Sequence, residues 1–309
     1  MGKFKIGDNE INNESCSYVI AEIGHNHQGN LETCMKMFRV ARKCGAQAVK
    51  LQKRDNRALY TKMLYDQPYD NRNSYGKIYG EHREFLEFGK DEYLELKCYA
   101  KELHLDFICT PFDFPSVDFL AEIDLSAYKI ASGDLKNIPL QKKVAGLGKP
   151  MFLSTGGGSI DDVQRAYDTI MPINSQLCIM QCTASYPCEP EQMNLRVIET
   201  FSERFTDVVI GLSDHQNGIS MSLVAYTLGA RVFEKHFTLN HTWRGTDHSF
   251  SLEPSGLKKM VRDLHNAQKA IGDGVKKPTS SETAPLYKMG KKLVAAHNLE
   301  EGHILTEDD

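Results

Sequence analysis

Eight short apolar runs, each followed by a stretch of helical length, constrain the fold of this chain more than any other feature. The runs are SYVIAEIG (17–24), AVKLQK (48–53), LDFICTPF (105–112), AYKIASGD (127–134), MFLSTG (151–156), LCIMQCT (177–183), VVIGLSDH (208–215) and ARVFEKHF (230–237). Each is too short for a helix of ordinary length and carries polar residues in its second half. The stretches between them include LETCMKMFRVARKCG, KDEYLELKCYAKELHL, SIDDVQRAYDTIM and PSGLKKMVRDLHNAQKAIG. Their apolar residues recur every three or four positions, the period of a helix with one buried face. Ser159 supplies an N-cap, followed by Asp161 and Asp162 in the first turn. Strand and helix alternating eight times predict an α/β fold, a parallel sheet closed into a (β/α)8 TIM barrel. An open doubly wound sheet is the structural alternative. The length of 309 residues leaves room for a barrel of about 250 and little else.

Composition narrows the function. At 41% hydrophobic and 25% charged, the chain has enough apolar residues to offset ordering entropy, which excludes a disordered protein. A formal net charge of -4 gives no global basic field, so nucleic acid is not the expected partner. No apolar run approaches the roughly 20 residues of a membrane span. The opening MGKFKIGDNE has no apolar signal region. A cytoplasmic protein is expected. Eight cysteines are scattered through the chain and are read as free thiols of a reducing compartment. The Cys178–Cys182 pair is read as barrel packing rather than a metal site. The barrel is expected to occupy residues 1–273, and the Pro-, Ser- and Lys-rich residues 274–290 to be a linker. Residues 291–309 carry two strand-like runs around a turn, too few to bury a core alone. Residues 54–90 form a Tyr-rich connection far longer than a usual βα loop, expected to be an active-site lid or an oligomer contact.

In a parallel barrel, chemistry collects at the carboxyl ends of the strands. Here those ends carry Glu22, Asn26 and His27; Lys50 and Gln52; Thr110; Lys129 and Ser132; Ser154 and Thr155; Thr183 and Tyr186; Ser213 and His215; Glu234 and His236. Strand alternation puts Lys50 with Gln52, Ser213 with His215, and Glu234 with His236 on one face. Val49, Leu51, Leu212, Phe233 and Phe237 take the other face, which packs on helices, so the polar pairs point inward. Buried charges are costly unless they are paired or meet a ligand. A ring of them from all eight strands predicts a binding site. His215 and His236 are 21 residues apart, one βα repeat, on neighbouring strands about 4.8 Å apart. Two imidazoles with water and substrate oxygens suit Mn²⁺, Co²⁺, Zn²⁺ or Mg²⁺ at an open site. Lys50 and Lys129, with Thr110, Ser132, Ser154 and Ser213, suggest a cationic cradle for a phosphate or phosphate ester. Such a ring without ligand is expected to cost stability through like-charge repulsion. A rival chemistry makes one lysine a Schiff-base nucleophile.

In order along the chain, AEIGHNHQG (21–29), KLQ (50–52), CTPFD (109–113), KIASGD (129–134), LSTGG (153–157), LSDH (212–215) and EKHFTL (234–239) resemble the sialic acid synthase family. The likeness runs from about residue 17 to the end of the chain. It implies a barrel followed by a small antifreeze-like (SAF) domain. It also implies a transferase that condenses phosphoenolpyruvate with an N-acetylated hexose, releasing phosphate and forming a nine-carbon nonulosonic acid. The acceptor would be of the N-acetylmannosamine or 2,4-diacetamido-trideoxyhexose type. By this resemblance His215 and His236 hold a divalent metal, typically Mn²⁺. Lys50, Thr110, Lys129, Ser132, Ser154 and Ser213 contact phosphoenolpyruvate. Glu22 and Gln52 stabilise the cationic centre or the attacking water, and Tyr186 and Asp247 lie near the acceptor. A homodimer is also implied.

Three departures bear on the reading. Asp134 stands where the family motif ends in Glu, one methylene longer. Ala184 stands where an Asn is frequent. LVAAHNLEEGHILTEDD resembles the start of the antifreeze-like domain, which in the family gives an Arg to the acceptor's N-acetyl group. The last arginine here is Arg262. These departures keep open a second reading, a barrel that binds phosphoenolpyruvate or a sugar without turnover. The segment GTDHSFSLEP and the His-rich first motif resemble the legionaminic-type branch more than the mammalian one.

Overall fold

A computed structural model describes residues 2–309. The chain opens with an antiparallel hairpin, β1 (Lys3–Ile6) and β2 (Asn9–Asn12). Eight parallel strands follow: β3 (Tyr18–Gly24), β4 (Ala48–Lys53), β5 (Asp106–Pro111), β6 (Ala127–Ile130), β7 (Met151–Ser154), β8 (Leu177–Cys182), β9 (Val209–Asp214) and β10 (Val232–His236). They close in chain order, with β10 pairing β3. The barrel is formed, and the open sheet is excluded. Among the described residues no helix is long and apolar enough to cross a membrane, and all eight cysteines are free.

The strands read as continuous apolar runs because both faces are buried. Val19, Ala21, Val49, Leu51, Leu153, Ile179, Leu212 and Phe233 point outward and pack with the surrounding helices in one large core. The helix Leu31–Cys44 shows why the outer layer forms. Asn30 caps its first turn by accepting from the Thr33 N–H, and Gly45 ends it in the left-handed region. Its buried side is Cys34, Met37, Phe38, Ala41 and Cys44.

The inward residues separate into two levels. The lower level is apolar: Ile20, Ala48, Ile108, Ala127, Phe152, Cys178, Met180, Val209 and Val232 form a second core. The hairpin, which the sequence reading left unassigned, joins it. Phe4, Ile6 and Ile11 enter this core, and the Phe4 ring meets Phe152 edge-on at 5.9 Å. At its edge, Tyr18 O–H and Asn9 Nδ2 both donate to Asp106 Oδ2, at 2.7 and 2.9 Å. Gly211 in β9 has no room for a side chain: a Cβ there would meet the Val232 carbonyl oxygen at 2.8 Å and Cys178 Sγ at 3.3 Å. The upper level is polar and carries the site.

Residues 54–90 are ordered by local chemistry. They hold three short helices, Asn56–Leu59, Lys62–Tyr65 and Tyr79–Leu86. Asp55 and Thr61 cap the first two. Rings pack between them: Tyr60 on Tyr79 at 5.1 Å, Tyr69 on Tyr79 at 5.3 Å, and Tyr75 stacked on Phe85 at 4.8 Å.

The chain divides into a first compact unit ending at Ala270 and a second, Ile271–Asp309. The second holds a 3-10 turn at Ser280–Glu282 and a helix at Thr283–Met289. The two strand-like runs expected at 291–309 do not form strands: turns and bends occupy these residues. Leu293, Val294, Ile304 and Leu305 are exposed, so nothing there buries the apolar face that a strand pair needs.

Candidate active site

Strand register assembles the site. β3 and β4 set Glu22 beside Lys50, β10 and β3 set His236 beside Glu22, and β9 and β10 set Ser213 beside Glu234. β4 and β5 set Gln52 beside Thr110. All of these side chains line one cavity of about 320 Å³ at the carboxyl ends of the strands, together with Lys129, Ser132, Ser154, Tyr186, His215 and Asp247. Asp134 does not reach this wall. Its carboxylate accepts from Asn137 Nδ2 at 2.9 Å, at the start of the next helix. Four other polar strand-end residues have structural partners instead. Thr155 and Thr183 donate to backbone carbonyls of Met180 and Gln192. Asn26 lines the wall, but its amide donates to the Phe237 carbonyl and to Ser251. His27 stacks on Phe88 at 4.2 Å.

The ring is not the bare cationic cradle expected from the lysines. Lys50 Nζ lies 2.8 Å from Glu22 Oε2 and 3.5 Å from Glu234 Oε1, and donates to Thr110 Oγ1 at 3.1 Å. Lys129 Nζ lies 2.9 Å from both oxygens of Glu234. Gln52 Nε2 donates to the other oxygen of Glu22 at 2.7 Å. Two buried lysines thus face two buried glutamates, which replaces like-charge repulsion by pairing. Burial alone would raise the Glu234 carboxyl, but Lys129 and Lys50 outweigh it and hold the group well below the ordinary carboxylate range. Burial alone would lower the Lys50 ammonium, but Glu22 and Glu234 hold it above its usual value. Both features disfavour a lysine nucleophile, which needs a neutral amine.

His215 and His236 meet across β9 and β10 with ring centroids 5.3 Å apart. The geometry suits an open metal site. His215 Nδ1 lies 2.9 Å from the Thr183 carbonyl; donating there leaves Nε2 with a free lone pair. His236 Nδ1 is buried without a hydrogen-bond partner, and Asp247 Oδ2 stands 3.7 Å away. Burial pushes both imidazoles below their usual pKa, so both are neutral near pH 7, as metal ligands must be. Among the described residues no group of three or more His, Cys, Asp or Glu side chains could hold an ion. The protein would supply two imidazoles, and water or substrate the rest. The Tyr186 ring covers His215 at 4.1 Å, and Phe250 flanks His236 at 5.0 Å. Ser154 Oγ is buried in the wall without a hydrogen-bond partner. Cys182 also lines the wall, accepting from Ser132 Oγ at 3.4 Å. Burial raises its thiol, which makes it an inert packing residue.

Sequence reasoning missed part of the wall. His25, Arg54, Tyr75, His82 and Arg83 also line the cavity. Four of the five lie in the Tyr-rich 54–90 segment, which therefore covers the barrel mouth. That segment was marked by its length, but its individual residues had no period that could assign them.

With this geometry in place, comparison with known proteins is direct. The NeuB family profile matches residues 37–276. The chain is 42% identical over 291 residues to N-acetylneuraminate-9-phosphate synthase of Homo sapiens, covering 94% of this chain and 81% of that protein. It is 35% identical over 295 residues to N,N'-diacetyllegionaminic acid synthase of Campylobacter jejuni, covering 94% and 87%. Over the whole chain the identity is greater to the human protein than to the Campylobacter one. The crystal structure of N-acetylneuraminic acid (sialic acid) synthetase from Leptospira borgpetersenii superposes with a TM-score of 0.80 at 30% identity, covering 93% of this chain and 95% of that one. The barrel, its ring of paired charges and these similarities agree: the chain belongs to the NeuB family, as a phosphoenolpyruvate-dependent transferase related to the sialic acid and legionaminic acid synthases.

Proposed function

We propose that this protein condenses phosphoenolpyruvate with an N-acetylated mannose-type sugar to give a nine-carbon nonulosonic acid, with a divalent metal at His215 and His236. The observation that carries this reading is the neutral His215–His236 pair beside the Lys50–Glu22 and Lys129–Glu234 pairs in one cavity. When bound, the metal, taken as Mn²⁺, supplies Lewis-acid polarisation of the sugar aldehyde. Carbon 3 of phosphoenolpyruvate forms the new bond to the aldehyde carbon, and water adds at carbon 2. The C–O bond to phosphate then breaks, leaving a ketone and free phosphate. The two protons of the water go to the new hydroxyl and to the phosphate.

The chain's own residues hold these groups. Lys50, Lys129, Thr110, Ser132, Ser154 and Ser213 face phosphoenolpyruvate. Ser154 Oγ, buried without a partner, is available to one of its oxygens. Glu22 is fixed by Gln52 and Lys50, which suits it to stabilise positive charge at carbon 2 or to orient the water. Tyr186 and Asp247 hold the acceptor. The working unit is proposed to be a homodimer, which sedimentation would check. Phosphate release from phosphoenolpyruvate with Mn²⁺ tests the activity. The acceptors are N-acetylmannosamine, its 6-phosphate and 2,4-diacetamido-2,4,6-trideoxymannose. Turnover with any of them is the expected result. Silence with all three, while metal and phosphoenolpyruvate still bind, would overturn it in favour of a binding barrel.

A further inference from the structure

The two histidines stand at the open ends of their strands, where sheet pairing runs out. The register between β9 and β10 ends with Asp214 beside Lys235, and the register between β8 and β9 ends at Ser213. His236 still pairs with Glu22 of β3, and its carbonyl accepts from the Leu252 N–H at 2.7 Å. His215 lies one residue past the end of β9. Strand pairing therefore does not set it against His236. Yet a metal ion shared by two imidazoles tolerates only about 0.2 Å of error in its ligand distances. Something else must fix the two rings 5.3 Å apart.

A buried ion pair on the opposite face fills this gap. Alternation turns Asp214 and Lys235 away from Ser213, His215, Glu234 and His236. Neither lines the large cavity, and both are buried, at 3% and 1% exposure. Lys235 Nζ donates to Asp214 Oδ2 at 2.7 Å and to the Gln216 carbonyl. Asp214 Oδ1 accepts from the Gln216 N–H at 2.8 Å. The residues before and after His215 are thus tied to each other, and both are tied to the residue before His236. Cys188, bridged to Gln216, donates its N–H to the His215 carbonyl at 3.1 Å, which holds the same turn from the loop after β8.

Stability does not account for the pair. The neighbouring outward positions on these two strands, Leu212 and Phe233, are apolar and join the core. A well-packed apolar pair of similar volume stabilises an interior as well as a buried ion pair, or better. What the ion pair adds is direction, because charge-assisted hydrogen bonds fix an angle and a reach that apolar packing leaves free. We infer that Asp214 and Lys235 are positioning residues that lock His215 against His236 so that both imidazoles reach one divalent ion, a role that rests on the metal site proposed above for this histidine pair. Neither side chain touches the metal or the substrates; each acts through the backbone of the histidine beside it.

The test compares the full chain with three variants. Asp214→Leu/Lys235→Met replaces the pair by apolar side chains of similar volume. Lys235→Arg keeps a cation with donors for both oxygens, and Asp214→Asn keeps the shape of the acid. Mn²⁺ binding to substrate-free protein is read from the electron paramagnetic resonance of the free ion, beside the metal-free melting temperature. The apolar double variant should melt near the parent temperature while its Kd for Mn²⁺ rises by about ten- to a hundredfold, the range for lost outer-shell support of metal ligands. Its kcat for phosphate release should fall, and its KM for phosphoenolpyruvate should stay within about twofold, because the lysine–glutamate ring is untouched. Lys235→Arg should recover most of the affinity. Asp214→Asn, measured below its own melting temperature, should also weaken Mn²⁺, and it gives the same reading should the apolar pair not fold. Parent-like Mn²⁺ affinity in either of these folded variants would overturn the positioning role, as would a loss of stability with metal affinity intact. If the parent protein binds no Mn²⁺, the functional reading fails, and metal-free crystal structures of parent and variants decide the role separately. Displaced imidazole rings in the variants support it; rings left in place reject it.

Discussion

The floor and the mouth of the barrel are built from the same strands with the same alternation, yet they differ in chemistry. At the floor, Ile20, Ile108, Phe152, Val209 and Val232 point inward and the hairpin seals them with Phe4, Ile6 and Ile11. One or two steps along the same strands, Glu22, Thr110, Ser154, Ser213 and Glu234 point inward at an open cavity. The floor buries apolar area, which stabilises and needs no partner. The mouth holds buried charges that only offset one another, and it gains its purpose from a ligand. Fold stability and function are thus stacked along one axis.

Four measurements test that division. His215→Ala should lower phosphate release on the order of a thousandfold and weaken Mn²⁺ binding, since Lewis-acid activation contributes several kcal/mol. Its melting temperature should move little, because the ring lines a cavity rather than the floor. Retained activity would mean that the mouth is not the catalytic centre. Phe152→Ala should do the reverse. Denaturant unfolding should show a loss of about 3–5 kcal/mol for an emptied core position, with kcat/KM of the folded fraction largely preserved. An equal loss of activity would show that the two levels are mechanically coupled. Mn²⁺ with phosphoenolpyruvate, each at about a hundred times its Kd, should stabilise by about 2.7 kcal/mol per independent site. Calorimetric melting checks this, and no shift would contradict ligand occupancy of the mouth.

The smallest effect is a pH dependence at the rim. Burial holds His27 well below the usual histidine pKa, with His25 adding to the depression. The unfolded chain then binds a proton that the folded chain refuses. Stability from this group is full above about pH 6.5 and is lost as pH falls toward the folded pKa, by at most about 1.4 kcal/mol per pH unit. His27→Gln should flatten the stability profile below pH 6.5, read from unfolding midpoints. A profile unchanged by the substitution would show that other groups set the acid limb.

Much of this was legible in the residues. All eight barrel strands came from runs whose apolar faces are fixed by period two, and the inward direction of Lys50, Ser213, Glu234 and His236 followed from their outward neighbours. The hairpin was missed although KFKI alternates polar and apolar residues, because KFKI and NEIN are only four residues long and NEIN carries a single apolar side chain. Their buried side chains, Phe4, Ile6 and Ile11, pack into the floor of the barrel. The paired state of the ring was also hidden. Lys50 and Lys129 read as free cations in one dimension, and only closure of the barrel brings Glu234 to Lys129, 105 positions away. Asp134 stands at a motif position but faces Asn137, since its reach depends on the turn after β6 rather than on spacing. The strand-like tail at 291–309 carried a local pattern without the neighbours needed to realise it.

By itself the sequence determined the strand and helix periods, the faces they present and the residue types gathered at the strand ends. These follow from local sterics and from the cost of exposing apolar side chains, which act within a few residues. The tertiary structure decided which charges neutralise one another and which remain unpaired. Electrostatic pairing depends on distances across the cavity, between residues far apart in the chain, and the clamping of Lys50 and Lys129 by Glu22 and Glu234 exists only in three dimensions.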